Sequence, residues 1–179
     1  SNTELAFPQT FSDSLRVVEV RKGEAFFEVA EDPSKPFVVR TGTTQTRVLG
    51  TTFNVRYQAE VEQVEVALVS GKVRYTAEDA ELLLEPSEMV RTNTRGTQKS
   101  TFDLLAVTGW KDGKIVFDNT PIDEVVRVLE NWYGVEIEFH NKEKNKTSYT
   151  GVFENQTLES VLIGLGFSTQ SQLIIRQKK

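Results

Sequence analysis

The chain has 179 residues, 38% hydrophobic and 26% charged, which suffices to bury one large core or two small ones. A net charge of −5 and a pI near 5.1 argue against a partner held through nucleic-acid phosphates. With no cysteine there is neither a disulfide framework nor a Cys-built zinc site, and no run approaches the ~18 apolar residues of a membrane helix.

Met89 is the sole methionine, so the chain does not begin at a natural start, and Ser1-Asn2 reads as a remnant of tag removal. Residues 1–14 are set aside as that remnant and an N-terminal segment. From 15 to 102 the period is two. Phe53, Val55 and Tyr57 alternate with Asn54 and Arg56; Val64, Val66 and Leu68 with Glu65 and Ala67; Val73 and Tyr75 with Lys72 and Arg74. Gly23, Gly42, Gly50, Gly71 and Gly96 punctuate the runs, as does DPSKP at 32–36. Short strands between glycine turns predict an all-β domain, a short solenoid or sandwich-like. Residues 103–109 read as a connection.

Beyond Trp110 the period changes, and one sentence is written twice: IVFDNTPIDEVV at 115–126 and GVFENQTLESVL at 151–162, a spacing of 36 (151 minus 115). Ile122, Val125, Val126 and Leu129 fall at i, i+3, i+4 and i+7, and so do Leu158, Val161, Leu162 and Leu165. Each set lines one face of a helix. Thr120 is placed to cap the first helix, with Pro121 at its first position and Asp123 as a capping-box acid. Thr157 caps the second, where Glu159 complements the positive helix end. Gly134 and Gly166 are placed to stop the two helices. Strand-like residues flank each helix, at 114–117 and 135–139, then at 149–153 and 173–176. One β-α-β unit cannot bury both of its faces, so two copies pack together: residues 110–179 are expected to form a β-α-β-β-α-β domain, giving an α+β chain.

Catalytic chemistry finds no footing. His140 is the only histidine, follows a strand, and reads as a turn residue; no G-x-S-x-G elbow accompanies it. Glu78, Asp79 and Glu81 lack the calcium-loop pattern, and Gly164-Leu165-Gly166 does not open a helix after a strand. Trp132-Tyr133 reads as an aromatic pair closing a small core. KEKNK at 142–146 reads as a solvated hairpin loop, and the sequons at Asn145 and Asn155 decide nothing without the source. No catalytic, cofactor or metal residue is assigned. What remains is recognition through surfaces, in which a free strand edge pairs with an incoming strand.

Three phrases, GEAFFEVAEDPSKPFVV (23–39), VLGTTFNV (48–55) and VSGKVRY (69–75), resemble the periplasmic part of FecR-like anti-sigma factors, in the same order. GWKDGKIVFDNTPIDEVVRVLENWYGVEIEF (109–139) with YTGVFENQTLESVL (149–162) resembles that family's C-terminal domain in the Bacteroidetes branch. That domain is related to the short secretin/TonB N-terminal (STN) domain, a double β-α-β fold. The likeness runs from about residue 15 to the end. One departure is Pro86-Ser87-Glu88, where the family pattern has Pro-Gly-Glu.

The resemblance implies a single-pass inner-membrane protein whose cytoplasmic part holds an extracytoplasmic-function sigma factor. Its periplasmic part receives a signal from the N-terminal signalling domain of an outer-membrane TonB-dependent transporter, in response to iron or glycan uptake. Proteolysis in the membrane then frees the sigma factor. The cytoplasmic segment and membrane helix are absent from these 179 residues, so the chain itself is expected to be a soluble monomer that binds the transporter domain and no sigma factor. Gly134, Val135, Glu136, Ile137, Glu138 and Phe139 form the candidate docking edge, chosen for clean alternation with Glu136 and Glu138 outward. Two other readings stand beside this one. A carbohydrate-binding β module would use Phe26, Phe27, Phe53, Tyr57 and Tyr75. A structural domain of an outer-membrane secretion assembly would form rings.

Overall fold

The computed structural model of the chain describes residues 3–140, 148–169 and 171–176, with the side chain of Gln172 excepted. The expectations for Ser1-Asn2, for the 142–146 loop and for the Asn145 sequon lie outside these residues. Two compact units meet in the chain between Thr108 and Gly109.

The N-terminal unit begins with β1 (Glu4–Ala6), β2 (Arg16–Val29), β3 (Phe37–Thr41), β4 (Thr44–Val48) and β5 (Thr51–Gln58). It continues through β6 (Gln63–Ser70), β7 (Val73–Thr76), β8 (Glu81–Leu84), β9 (Glu88–Asn93) and β10 (Gly96–Thr101). All ten strands join one sheet in the order β10-β9-β6-β5-β2-β3-β4-β7-β8, with β1 on β2. β2 is the pivot. Its first residues run parallel to β3, whereas those from Gly23 onward pair antiparallel with β5. The single sheet curls as a half-barrel, and its two halves face each other like the layers of a sandwich. Val39, Val73 and Tyr75 from one half meet Phe53, Val66 and Leu68 from the other, all fully buried.

The alternation seen in the sequence is therefore the inside and outside of this curl. On the outer face of β2, β5, β6 and β9, register stacks Glu24, Arg56, Glu65 and Arg91 in one row of alternating charge. Arg91 Nε donates to Glu65 Oε1 at 2.7 Å. Opposite charges facing each other across strands favour this register over a slip by one residue, which would set each charge opposite an apolar or uncharged neighbour and turn valines outward. At 32–36 the expected turn is held by Asp32 Oδ1, which accepts from the Ser34 amide at 3.0 Å and the Ser34 hydroxyl at 2.6 Å.

Ser87, where the family pattern has glycine, sits at φ 71 in the turn between β8 and β9. Glu88 N donates to Glu85 O at 3.0 Å, so Pro86 and Ser87 are the central residues of a type II turn. The second of these positions favours glycine, and an L-residue in the left-handed region costs about 1–2 kcal/mol, partly offset by the entropy glycine loses on folding. Ser87→Gly is expected to stabilise the unit by roughly 0.5–1 kcal/mol. A melting temperature that is unchanged or lower would contradict this.

The connection at 103–109 carries a short helix, α1 (Leu104–Thr108). Asp103 caps it, its Oδ1 accepting the Ala106 amide at 2.9 Å.

The second unit contains β11 (Lys114–Pro121), α2 (Ile122–Tyr133), β12 (Glu136–His140), β13 (Ser148–Glu154), α3 (Leu158–Thr169) and β14 (Gln172–Arg176). This is the β-α-β-β-α-β order read from the repeat. The pairing, however, runs between the copies: β11 pairs antiparallel with β13, and β12 with β14. Val116 lies opposite Val152, and Glu138 opposite Ile174. Both pairs are 36 apart, so each joins a residue to its own duplicate. A local two-fold axis passes through both small sheets, and the two copies bury each other about it. Ile122, Val125, Val126 and Leu129 of α2 are buried, as are Val161, Leu162 and Leu165 of α3.

Two capping expectations are corrected. Pro121, and not Thr120, occupies the N-cap of α2, with no side-chain cap. The Thr120 hydroxyl instead accepts the Asp118 amide at 3.2 Å, because β11 runs through Pro121 and keeps Thr120 in the strand. Gly166 does not end α3, which continues to Thr169. A Cβ there would stand 3.0 Å from Ser171 O, so the returning chain crosses close above Gly166. Gly134 does stop α2, at φ 70, and Thr157 does cap α3, accepting the Ser160 amide at 3.3 Å.

Candidate functional site

The six residues of the expected docking edge fall into two groups. Gly134 and Val135 belong to the helix end: both amides donate to Glu130 O, at 2.9 and 3.2 Å. The strand begins at Glu136. Ile137 and Phe139 face the core, while Glu136 is exposed and Glu138 half-buried. Glu138 accepts Arg176 Nη2 at 2.9 Å across the sheet, and its other oxygen lies 3.6 Å from His140 Nε2. His140, expected in a turn, is instead the last residue of β12 and stands beside this ion pair. Among the described residues no group of three or more His, Cys, Asp or Glu is arranged to hold a metal.

Sequence reasoning missed Glu130. Its Oε1 accepts the Ile137 amide at 2.8 Å. That amide therefore points away from β14, toward the outer edge of β12, and the best-placed donor of the expected edge is already bonded within the molecule. An acid four residues before a helix-stopping glycine was the available signal. Its target, an amide on the following strand, has no sequence signature.

Trp132 and Tyr133 pack against the C-terminal core, and the Tyr133 hydroxyl donates to Gln156 O at 2.8 Å. They close the core as expected.

In the N-terminal unit a polar cleft of about 510 Å³ opens beside Tyr57, Glu62, Glu78, Asp79 and Asn93. Thr92 and Asp79 of its lining belong to a chain of side-chain hydrogen bonds. The Tyr75 hydroxyl donates to Thr92 Oγ1 at 2.7 Å, Thr92 and Thr97 hydroxyls lie 3.0 Å apart, and Thr97 Oγ1 donates to Asp79 Oδ1 at 2.7 Å. The Thr97 hydroxyl, with the Thr97 amide, holds the Asp79 carboxyl below the usual carboxylate range. The chain runs from a fully buried phenol to an exposed carboxylate and ties the two halves of the curl together. Of the aromatics that a carbohydrate site would need, Phe53 and Tyr75 are wholly buried, and Phe27 and Tyr57 pack against the same core.

The chain is thus a curled β-sheet unit followed by a pseudo-symmetric double β-α-β unit, the architecture that a two-part family of proteins would share. Residues 1–74 match the FecR protein family and residues 114–179 the FecR C-terminal family. The chain belongs to the FecR family of anti-sigma factors. Two crystal structures of a candidate anti-sigma factor from Parabacteroides distasonis ATCC 8503, at 1.65 and 2.50 Å resolution, superpose with TM-scores of 0.82 and 0.81. Each is 32% identical, over 98% of this chain and 86% of the other. No curated protein sequence matches the chain. The family is regulatory, and its members are usually membrane-anchored with a periplasmic region. No described helix here is long and apolar enough to cross a membrane.

Proposed function

We propose that this chain is the periplasmic, signal-receiving region of a transmembrane anti-sigma factor, one that couples an outer-membrane TonB-dependent transporter to an extracytoplasmic-function sigma factor. The observation that carries the reading is the pair of FecR family matches in chain order, one in each unit. The geometry is compatible with such a role. Both small sheets of the C-terminal unit are two-stranded, and a two-stranded sheet offers edges for an incoming strand. In this reading the transporter's N-terminal signalling domain docks on the C-terminal unit, and the change is passed toward the membrane. The double β-α-β order also fits an STN-like unit, and iron or glycan uptake is the stimulus proposed. The sigma factor is contacted through a cytoplasmic segment of the kind family members carry.

The test is calorimetric titration of the chain with the signalling domain of the transporter encoded beside it. Saturable binding in the roughly micromolar range of modest interfaces is expected. No heat from two folded partners, repeated with the organism's other transporter domains, would overturn the coupling. Assembly of the chain alone into rings in sedimentation would instead favour a structural part in a secretion machine.

A further inference from the structure

The duplication allows each surface position of one copy to be compared with its counterpart 36 residues away. On the outer face of α2 and β12 stand Arg127, Asn131 and Glu138; their counterparts on α3 and β14 are Ile163, Phe167 and Ile174. Those apolar residues are 67%, 89% and 41% exposed. Phe139 is 9% exposed, but its duplicate Ile175 is 44% exposed. The second copy has thus exchanged a solvated face for an apolar one and left it bare. A groove of about 420 Å³ runs along it, lined by Glu159, Leu162, Ile163, Leu173, Ile174 and Ile175.

The backbone differs in the same sense. In the first copy Glu130 closes the strand edge by accepting the Ile137 amide. The counterpart of Glu130 is Gly166, which has no side chain to do so. Since the Ile137 amide points away from β14, Ile137 and Ile175 form a non-hydrogen-bonded pair, as do Phe139 and Leu173 two residues on. The Leu173 and Ile175 amides therefore point to the far edge of β14, where no described strand pairs with them. One edge of the little sheet is closed, and its duplicate is open beside an apolar helix face.

We propose that the α3–β14 groove receives an extended strand of the transporter's signalling domain, apolar at alternate positions, which adds to the open edge of β14 beneath Ile163 and Phe167. This rests on the functional reading above and moves its contact from β12 to the duplicate strand. The size of the patch selects the occupant. Taking roughly 150–250 Å² for a large side chain, the exposed fractions of Ile163, Phe167, Ile174 and Ile175 amount to roughly 360–600 Å². That falls short of the ~800 Å² that each partner contributes to a standard stable interface, while the Leu173 and Ile175 amides on the open edge beside it suit one docked strand.

The chain and its I163E/F167E and R127E variants are titrated with the adjacent transporter's signalling domain, and amide hydrogen exchange is followed in the free and bound chain. Both replaced apolar residues are exposed, so the double variant should melt as the wild type does. It is expected to bind at least about tenfold more weakly, while R127E, altered at the counterpart of Ile163, binds unchanged. Leu173 and Ile175 amides should slow their exchange on binding. Wild-type affinity in the double variant, with protection elsewhere, would overturn the groove and leave the transporter reading intact. Failure of the wild type to bind would overturn the partner itself. Self-association of the wild type that the double variant abolishes would make a second copy the occupant and overturn the strand.

Discussion

Gly71→Ala is expected to destabilise the N-terminal unit by roughly 2–5 kcal/mol, from two costs that add. The first is conformational: Gly71 sits at φ 89, where an L-residue loses about 1–2 kcal/mol. The second is steric. A Cβ at Gly71 would lie 2.7 Å from Gly50 O and 2.9 Å from Thr51 Oγ1, and Thr51 is fixed by its bond to Lys72 O at 3.0 Å. Backbone cannot swing aside as a side-chain tip can, so overpacking of about 1–3 kcal/mol follows. Gly50 is confined in turn, for its own Cβ would meet Glu31 Cα at 2.6 Å. The phrases VLGTTFNV and VSGKVRY thus meet in space, glycine against glycine, where the turns before β5 and β7 stack. In a unit of this size 1 kcal/mol moves the melting temperature by about 4–8 °C, so a drop of 10 °C or more is expected in far-ultraviolet circular dichroism. A shift under about 2 °C would show that the turn relaxes and that the contact is not constraining.

Those glycines were legible as punctuation; their contact was not. The same division holds elsewhere. Strand alternation at Phe53, Val55 and Val66 could be read because these residues face the core, although Asn54 and Ala67 on the other face are buried as well. The curl could not be read, because it depends on β2 changing partner at Gly23, and a long strand with one glycine has no pattern announcing a second neighbour. In the C-terminal unit the duplicated helices were plain from spacing. The crossing of pairs between copies was not, since strand partners are set by closing a shared core about an axis and not by local sequence. Thr120 and Gly166 misled for a related reason: both are good local signals overridden by the strand and the returning chain packed against them. The apolar run LIGLGF in α3 was present in the sequence as a signal. It was absorbed into the helix pattern, although apolar residues on both faces of one helix mean that one face awaits a cover.

That feature sets the terms of the second large prediction. Leu129 and Leu165 are duplicates, each wholly buried in the same core. Truncating either to alanine removes the same atoms from positions related by the local axis. Leu129→Ala and Leu165→Ala are each expected to cost about 2–5 kcal/mol and to agree within about 1 kcal/mol. A domain of this size has only some 3–5 kcal/mol to lose, so the double variant should leave the C-terminal unit unfolded. Both tryptophans, Trp110 and Trp132, lie in that unit, so their fluorescence in a urea titration reports on it alone. A much smaller cost for Leu165→Ala would be informative in a specific way. α2 cannot turn to fill its cavity, because the residues beside its buried stripe include Arg127 and Asn131. α3 can, because Ile163 or Phe167 would enter the core as it rotates. Equal costs mean that packing fixes the rotation of α3 and holds those two residues outward against their own tendency to be buried. Unequal costs mean that α3 is only loosely oriented, and that the apolar face must be judged by what the helix does once a partner holds it.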